Sequence, residues 1–166
     1  MSCTGVILAG GAASRFGGRP KGLERVGGVR LIDRVARALS QVTDTLLLVA
    51  NAPDAATWLP AVRTVPDLRP GDGALGGVHT ALASAGTDIL LVAWDMPFVS
   101  PSLLGLLRAE GEAAGADAML PESEASRRGV EPLCAWYAAR CLPAVEAALD
   151  AGDRRVIAFL DQVHAA

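Results

Sequence analysis

Short apolar runs alternate with amphipathic runs along most of this chain. Runs rich in Val, Ile and Leu that end at Gly, Pro or Asp are typical of buried strands. We expect strands at 4–9, 45–51, 62–65, 88–98, 116–123 and 131–137. The run at 88–98 is the strongest of them, and the sequence predicts that its strand ends at Asp95.

Between these runs, apolar residues recur with the spacing of a helix. Val35 and Leu39 fall on one helical face, with Arg34 and Arg37 on the opposite face. The same reasoning predicts helices at 31–39, 75–85, 101–114, 142–149 and 154–159. Ser100 followed by proline is a typical helix start, since serine caps the helix and proline fits its first position.

This alternation predicts an α/β fold. Strands joined by helices form βαβ units, and they favour a three-layer αβα, Rossmann-like arrangement with a mostly parallel sheet and helices on both faces. In such folds ligands bind outside the carboxyl ends of the strands. The loop after the first strand, Asn51 and Asp95 all follow predicted strands. We therefore expect them to meet at one edge of the sheet.

Composition narrows the class of protein. The chain has 166 residues, 51% of them apolar, and a net charge of −3. These values argue against a disordered chain and against a general nucleic-acid binder, which is usually basic. The amino terminus lacks the pattern of a secretory signal, and no apolar run reaches the ~20 residues of a membrane span. The sequence thus predicts a soluble cytoplasmic protein with no nucleic-acid or membrane partner.

The cysteines do not indicate a disulfide framework or a zinc site. Cys3, Cys134 and Cys141 are odd in number and scattered, without a C-x-x-C spacing. We expect them to be ordinary thiols in a reducing compartment. The two histidines are too few for a metal cluster.

The loop at residues 8–22, LAGGAASRFGGRPKG, combines glycines with Arg15, Arg19 and Lys21. Glycines let backbone N–H groups approach an anion, which predicts a phosphate-binding loop. The loop is not a Walker motif, because Gly22 follows the lysine, and it is not a clean G-x-G-x-x-G motif. A flexible basic surface loop is the alternative. Lys21 is the one lysine among 15 basic residues, which indicates either chance or a site that accepts only an ammonium group.

Acidic residues at predicted strand ends suggest a metal or ligand contact. Burying Asp95 at the end of an apolar strand is costly unless it is paired or used. Mg²⁺ usually takes one or two carboxylates together with substrate phosphates, so Asp95 is a candidate metal ligand; the alternative is a helix cap or a turn. Asp67 and Asp72 are candidates for contacts to ligand hydroxyls, although a turn role is favoured for Asp72.

These residues carry a resemblance to a known family. The stretches LAGGAASRFGGRPKG, ANAP, VPDLRPGDGALGGVHTAL, WDMPF and AGDRRVIAFL together resemble the molybdenum cofactor guanylyltransferases, a branch of the glycosyltransferase-A-like nucleotidyltransferases. The resemblance implies transfer of GMP from GTP to the terminal phosphate of Mo-molybdopterin, with Mg²⁺ as cofactor and pyrophosphate released. It also implies transient contacts with proteins that make molybdopterin or mature molybdoenzymes.

The resemblance also implies roles for individual residues. Arg15, Lys21 and Asp95 would be catalytic, with Arg15 and Lys21 on the triphosphate and Asp95 on Mg²⁺. The implied nucleotide-binding residues are Leu8, Ala9, Gly10, Gly11, Lys21, Asn51, Asp67 and Gly76. Arg154 and Arg155 would either face the pterin or be surface arginines of a helix.

We expect a single nucleotidyltransferase domain over residues 1–166. The family pattern usually continues with a further strand and an N-x-N-T-P-type segment on the acceptor side, which this sequence lacks. Two alternatives therefore stay open: a related nucleotidyltransferase that uses CTP or a sugar phosphate, and a non-catalytic GTP-binding or cofactor-delivery module. Gly10 favours guanine, because those relatives often carry alanine there.

Overall fold

The computed structural model describes residues 1–10, 20–124, 126 and 129–166. The strands are β1 Cys3–Ala9, β2 Arg25–Val26, β3 Val29–Arg30, β4 Thr45–Ala50, β5 Arg63–Val65, β6 Asp88–Ala93, β7 Ala118–Met119 and β8 Cys134–Tyr137. The helices are α1 Leu31–Ser40, α2 Gly73–Ala85, α3 Pro101–Ala114 and α4 Leu142–Asp150.

Six strands form one mixed sheet in the order β5-β4-β1-β6-β8-β7. β1 pairs in parallel with β4 and β6, and β4 pairs in parallel with β5. β8 lies antiparallel between β6 and β7, so it is the reversed strand of the described sheet. β2 and β3 form a small separate hairpin.

The apolar core lies on both faces of this sheet. Val6 and Leu8 of β1 point to the face covered by α2 and α4, whereas Ile7 points to the face covered by α1 and α3. A strand covered on both faces must be apolar at successive positions rather than at alternate ones, which explains the continuous runs in the sequence. The predicted three-layer α/β fold is confirmed.

Local signals set the helix boundaries as predicted. The Ser100 hydroxyl accepts a hydrogen bond from the backbone N–H of Leu103 at 3.1 Å, and Pro101 fills the first helical position of α3. Gly115 ends the same helix with a φ of +60°, a conformation that glycine adopts without steric cost. Among the described residues, none of the helices combines the length and the apolar character needed to cross a bilayer.

The predicted helix at 154–159 is wrong. Gly152, with a φ of +79°, ends α4, and the chain continues as turns until a short 3₁₀ helix at Leu160–Gln162. The Asp153 carboxylate accepts hydrogen bonds from the backbone N–H and the guanidinium of Arg155. Such local bonds offer the backbone an alternative to a helix. The apolar spacing in this segment instead reflects Val156 and Phe159, which are buried in the core.

Three predicted strands are longer than the observed ones by more than one residue. β6 ends at Ala93, so Asp95 lies in a turn two residues beyond the strand. The predicted strands at 116–123 and 131–137 shrink to β7 and β8, which stop short of Pro121 and Pro132. Proline has no N–H to donate to a sheet, and this limits β7 and β8. The hairpin formed by β2 and β3 was not predicted.

Candidate active site

The residues that follow the parallel strands meet at one edge of the sheet, as the sequence predicts. Gly10 follows β1, Asn51 follows β4 and Asp95 lies just beyond β6. The backbone N–H of Trp94 donates to the carbonyl of Leu8 at 3.1 Å, which holds the turn after β6 against the end of β1. We call this side of the sheet the active edge.

Lys21 and Asp95 form an ion pair at the active edge. The Lys21 Nζ lies 3.1 Å from the Asp95 Oδ2, although the two residues are far apart in the sequence. Their side chains remain 52% and 36% exposed. Exposed ion pairs contribute only about 0–1 kcal/mol, so incoming phosphates or a metal ion can replace this contact at little cost.

The position of Lys21 depends on the absence of a side chain at the next residue. Gly22 is buried, and a Cβ added to it would lie 2.2 Å from the Trp94 Cε3. Trp94 in turn stacks on Trp58, with ring centroids 5.2 Å apart. The sequence indicated only that Gly22 breaks the Walker pattern. It gave no signal for the two tryptophans, because the contact of Trp94 with Gly22 and its stacking on Trp58 join distant parts of the chain.

We expect a Gly22→Ala substitution to destabilise the protein and weaken nucleotide binding. The new Cβ would overlap the Trp94 ring, and overpacking of this kind typically costs about 1–3 kcal/mol. Thermal unfolding and a GTP titration would measure both effects. Gly105→Ala in α3 is the matched control, because its Cβ would lie 3.5 Å from the Val42 Cγ1, an ordinary contact. If Gly22→Ala behaves like the control, Gly22 does not position the loop.

Asn51 and Asp67 are joined by two reciprocal hydrogen bonds. The Asn51 Nδ2 donates to the Asp67 Oδ2 at 2.7 Å, and the Asp67 backbone N–H donates to the Asn51 Oδ1 at 2.8 Å. The Thr80 hydroxyl of α2 accepts from the backbone N–H of Leu68 at 2.9 Å, which fixes the same loop. The structure therefore brings these two predicted residues together, and it adds Thr80 as a support that the sequence did not reveal.

Gly76, a predicted nucleotide-binding residue, lies in the first turn of α2. A Cβ at Gly77 would lie 2.5 Å from the Leu8 Cδ1, so the helix approaches β1 closely only because glycine stands there. Leu8 and Ala9 are buried, which means that they can offer a ligand mainly their backbone. Gly10 is exposed, with no described atom within 4 Å of the position of its missing Cβ.

Asp72 is paired within the protein, which agrees with the favoured structural role. Its carboxylate lies 3.2 Å from Arg69 and 3.0 Å from Arg154. Arg154 thus stands against the segment before α2 and not on a helix. Arg155 pairs with Asp153, and this contact lowers the pKa of Asp153 to about 2.

Gly11 and Arg15, two of the predicted site residues, lie outside the described residues. Their roles remain predictions.

The chemistry of the described side chains favours a metal shared with a substrate over one held by protein alone. In the described part of the chain, no three His, Cys, Asp or Glu side chains are grouped as a metal site. Asp95 at the active edge fits an ion that takes most of its ligands from phosphates. Burial raises the pKa of Cys3 and Cys141 to about 12 and that of Cys134 to about 11, so these thiols are poor nucleophiles at neutral pH.

Comparison with known proteins adds independent information. A family model described as the MobA-like NTP transferase domain matches residues 5–165. A molybdenum cofactor guanylyltransferase of Desulfosudis oleivorans is 38% identical over 151 residues, 90% of this chain and 72% of that protein. The crystal structure of molybdopterin-guanine dinucleotide biosynthesis protein A from Archaeoglobus fulgidus is 30% identical with a TM-score of 0.79, covering 98% of this chain and 80% of that one. A Mycobacterium tuberculosis protein, solved as a complex with manganese, shares the fold at 22% identity and a TM-score of 0.62, covering 87% of this chain and 75% of that one.

Proposed function

This chain belongs to the molybdenum cofactor guanylyltransferases among the MobA-like NTP transferases, and from that membership we propose that it transfers GMP from GTP to the terminal phosphate of Mo-molybdopterin. Pyrophosphate is the second product. The observation that carries this proposal is the Lys21–Asp95 pair at the active edge. This pair supports the proposal, because an ammonium group suits phosphates and a neighbouring carboxylate suits a metal ion.

The reaction is a substitution at phosphorus. An oxygen of the acceptor's terminal phosphate forms a bond to the α-phosphorus of GTP, and the bond from that phosphorus to the β-phosphate bridge oxygen breaks. Pyrophosphate leaves with the electron pair of the broken bond. The attacking phosphate is largely ionised at pH 7, so the enzyme needs no strong general base. Positioning and charge stabilisation supply most of the catalysis in such transfers.

Described residues of the active edge have separate roles in this scheme. Lys21 stabilises the pyrophosphate as its charge grows. The exposed backbone at Gly10 and the amino-terminal turn of α2 face the nucleotide, since helix amino termini attract phosphates. The joined Asn51 and Asp67 side chains contact the guanosine. Arg15, outside the described residues, is proposed as a second cation on the triphosphate.

A divalent ion would be held by Asp95 together with phosphate oxygens of GTP. When bound, such an ion neutralises and orients the phosphate under attack. We propose Mg²⁺, because a site with one carboxylate and several phosphate or water ligands suits this ion.

The test is a turnover assay with Mo-molybdopterin and either GTP or CTP. We expect pyrophosphate release with GTP and at least tenfold less with CTP. Comparable turnover with CTP would favour the related nucleotidyltransferase. GTP binding in a thermal-shift titration without any turnover would favour a non-catalytic binding or delivery module and would contradict the proposal. A guanylyltransferase relative assayed in parallel shows that the acceptor is active.

A further inference from the structure

A buried threonine of α2 holds the loop that carries Asp67. This loop, residues 66–72, joins β5 to α2. The backbone N–H of Leu68 donates to the Thr80 hydroxyl at 2.9 Å, and the same hydroxyl bonds to the carbonyl of Gly76, one turn earlier in α2, at 2.9 Å. Thr80 is 0% exposed, so its hydroxyl depends on protein groups for its hydrogen bonds.

The chemistry of these two partners fixes the direction of both bonds. A backbone N–H can only donate, so the Thr80 oxygen accepts from Leu68. A carbonyl can only accept, so the single hydroxyl proton goes to Gly76. The proton is therefore committed to the helix, and a lone pair of the oxygen faces the loop. An apolar side chain of the same size at position 80 would lose this bond between α2 and the loop.

Other contacts of the loop are less suited to keeping it in place. Arg69 pairs at 2.8 Å with an α4 carboxylate whose side chain is 69% exposed, and exposed ion pairs contribute little to stability. The bonds between Asn51 and Asp67 involve the side chains that are proposed to contact the guanosine, so the nucleotide competes for the same atoms. The bond to Thr80 uses a backbone N–H and a buried hydroxyl with no proposed ligand contact, and it can persist when the nucleotide binds.

We infer that Thr80 is a positioning residue for the nucleoside part of GTP. This inference rests on the proposed function, in which Asn51 and Asp67 contact the guanosine and Lys21 stabilises the pyrophosphate. Thr80 acts through Leu68, the neighbour of Asp67, and sets where the Asp67 side chain stands before the nucleotide arrives. Groups that are held in place in advance cost less free energy to order on binding. The hydroxyl thus strengthens binding of the nucleoside and not of the phosphates.

Thr80→Val and Thr80→Ser separate the hydroxyl from the packing of the side chain. Valine keeps the volume and loses both hydrogen bonds, whereas serine keeps the hydroxyl and loses a methyl group. Calorimetric titration with GTP at a fixed Mg²⁺ concentration measures the Kd without any need for turnover. We expect Thr80→Val to raise the Kd for GTP about five- to tenfold, in line with the loss of one hydrogen bond, and Thr80→Ser to stay close to wild type.

Pyrophosphate is the second probe, because it carries phosphates without a nucleoside. The same titration with pyrophosphate should give one Kd for wild type and for the Thr80 variants. Thr80→Ala, which also lacks the hydroxyl and favours a helix more than valine does, covers the case in which valine prevents folding. It should weaken GTP binding and leave pyrophosphate binding unchanged, as Thr80→Val does.

Thr4→Val is the matched control for loss of a buried threonine hydroxyl. Thr4 is 6% exposed and lies near the start of β1, at the end of the sheet opposite the active edge. Its hydroxyl also has two partners, the hydroxyls of Thr87 at 2.9 Å and Thr45 at 3.3 Å. Thermal unfolding should show a loss of stability in Thr4→Val comparable to that in Thr80→Val, while the Kd for GTP stays at the wild-type value.

The outcomes separate this inference from the proposed function. GTP binding that Thr80→Val weakens and Thr80→Ser preserves, with pyrophosphate binding unchanged, supports the positioning role even if the wild-type protein does not turn over. An unchanged Kd for GTP in Thr80→Val, an equal loss in Thr80→Ser or Thr4→Val, or a parallel loss for pyrophosphate overturns it and leaves the proposed function in place. Failure of both Thr80→Val and Thr80→Ala to fold assigns Thr80 to the fold alone and also overturns it. A wild-type protein that binds no GTP overturns both.

Discussion

Asp95→Asn is expected to lower turnover with GTP by about 100-fold or more, since a metal ion on the phosphates contributes several kcal/mol to such a reaction. The amide keeps the size of the side chain and removes its charge, so the ion loses its proposed protein ligand and Lys21 loses its partner. Asp95 is 36% exposed in a turn beyond β6, and the fold therefore tolerates the change.

Binding of the metal can be measured apart from activity. Mn²⁺ in the presence of GTP gives a paramagnetic signal that falls when the ion is bound, and we expect Asp95→Asn to weaken this binding. Asp161→Asn, at an exposed carboxylate of the last 3₁₀ helix, is the control and should change neither quantity. Full turnover and unchanged Mn²⁺ binding in Asp95→Asn would remove Asp95 from the metal site.

Substituting Lys21 is expected to give the second-largest effect. A hydrogen bond from a charged group is worth about 1.5–3 kcal/mol, so Lys21→Ala should lower kcat/KM for GTP by about 10- to 100-fold. Lys21→Arg should not restore the rate. An ammonium is a compact point charge, whereas a guanidinium is a broad planar fork, so an arginine would present its charge to the phosphates in a different geometry.

The control for Lys21 is Arg25→Ala. Arg25 is an exposed cation four residues further along the chain, and its guanidinium donates to the carbonyl of Gly28 within the β2–β3 hairpin. Its loss changes the net charge by the same amount as Lys21→Ala but should leave kcat/KM within about twofold. Equal kinetics for Lys21→Arg and wild type would show that any cation suffices at this position.

The sequence predicted the fold correctly where a pattern has only one physical interpretation. The structure confirms the predicted strands β1 and β4 and the predicted start of α3 at Ser100 and Pro101. Burial on both faces of a sheet requires a continuous apolar run, and helix capping requires particular residues at the helix start, so both can be recognised in the sequence. The segment at 154–159 shows where prediction from apolar spacing fails. Its apolar residues have helical spacing, yet the Asp153–Arg155 hydrogen bonds favour turns, and spacing alone does not record that competition.

Prediction of the site was limited in the same way. The order of strands and loops was enough to place Gly10, Asn51 and Asp95 at one edge, and the pairing of Lys21 with Asp95 agrees with two residues singled out beforehand. The contacts that hold the site residues in position were not predictable. Trp94 under Gly22 and Thr80 under Leu68 depend on contacts between distant segments.

The reversal of β8 has a consequence for how such an enzyme can diversify. On the half that holds β4 and β5, β5 and β6 are joined through α2, so a change in the length of that connection would disturb a packed helix. On the other half, β7 and β8 are antiparallel neighbours, and the described residues of their connection include the exposed Glu122, Glu124 and Gly129. Surface connections tolerate insertions and deletions at low cost. Evolution can therefore remodel this side of the sheet through the connection between β7 and β8, while the half with β4, β5 and α2 stays fixed.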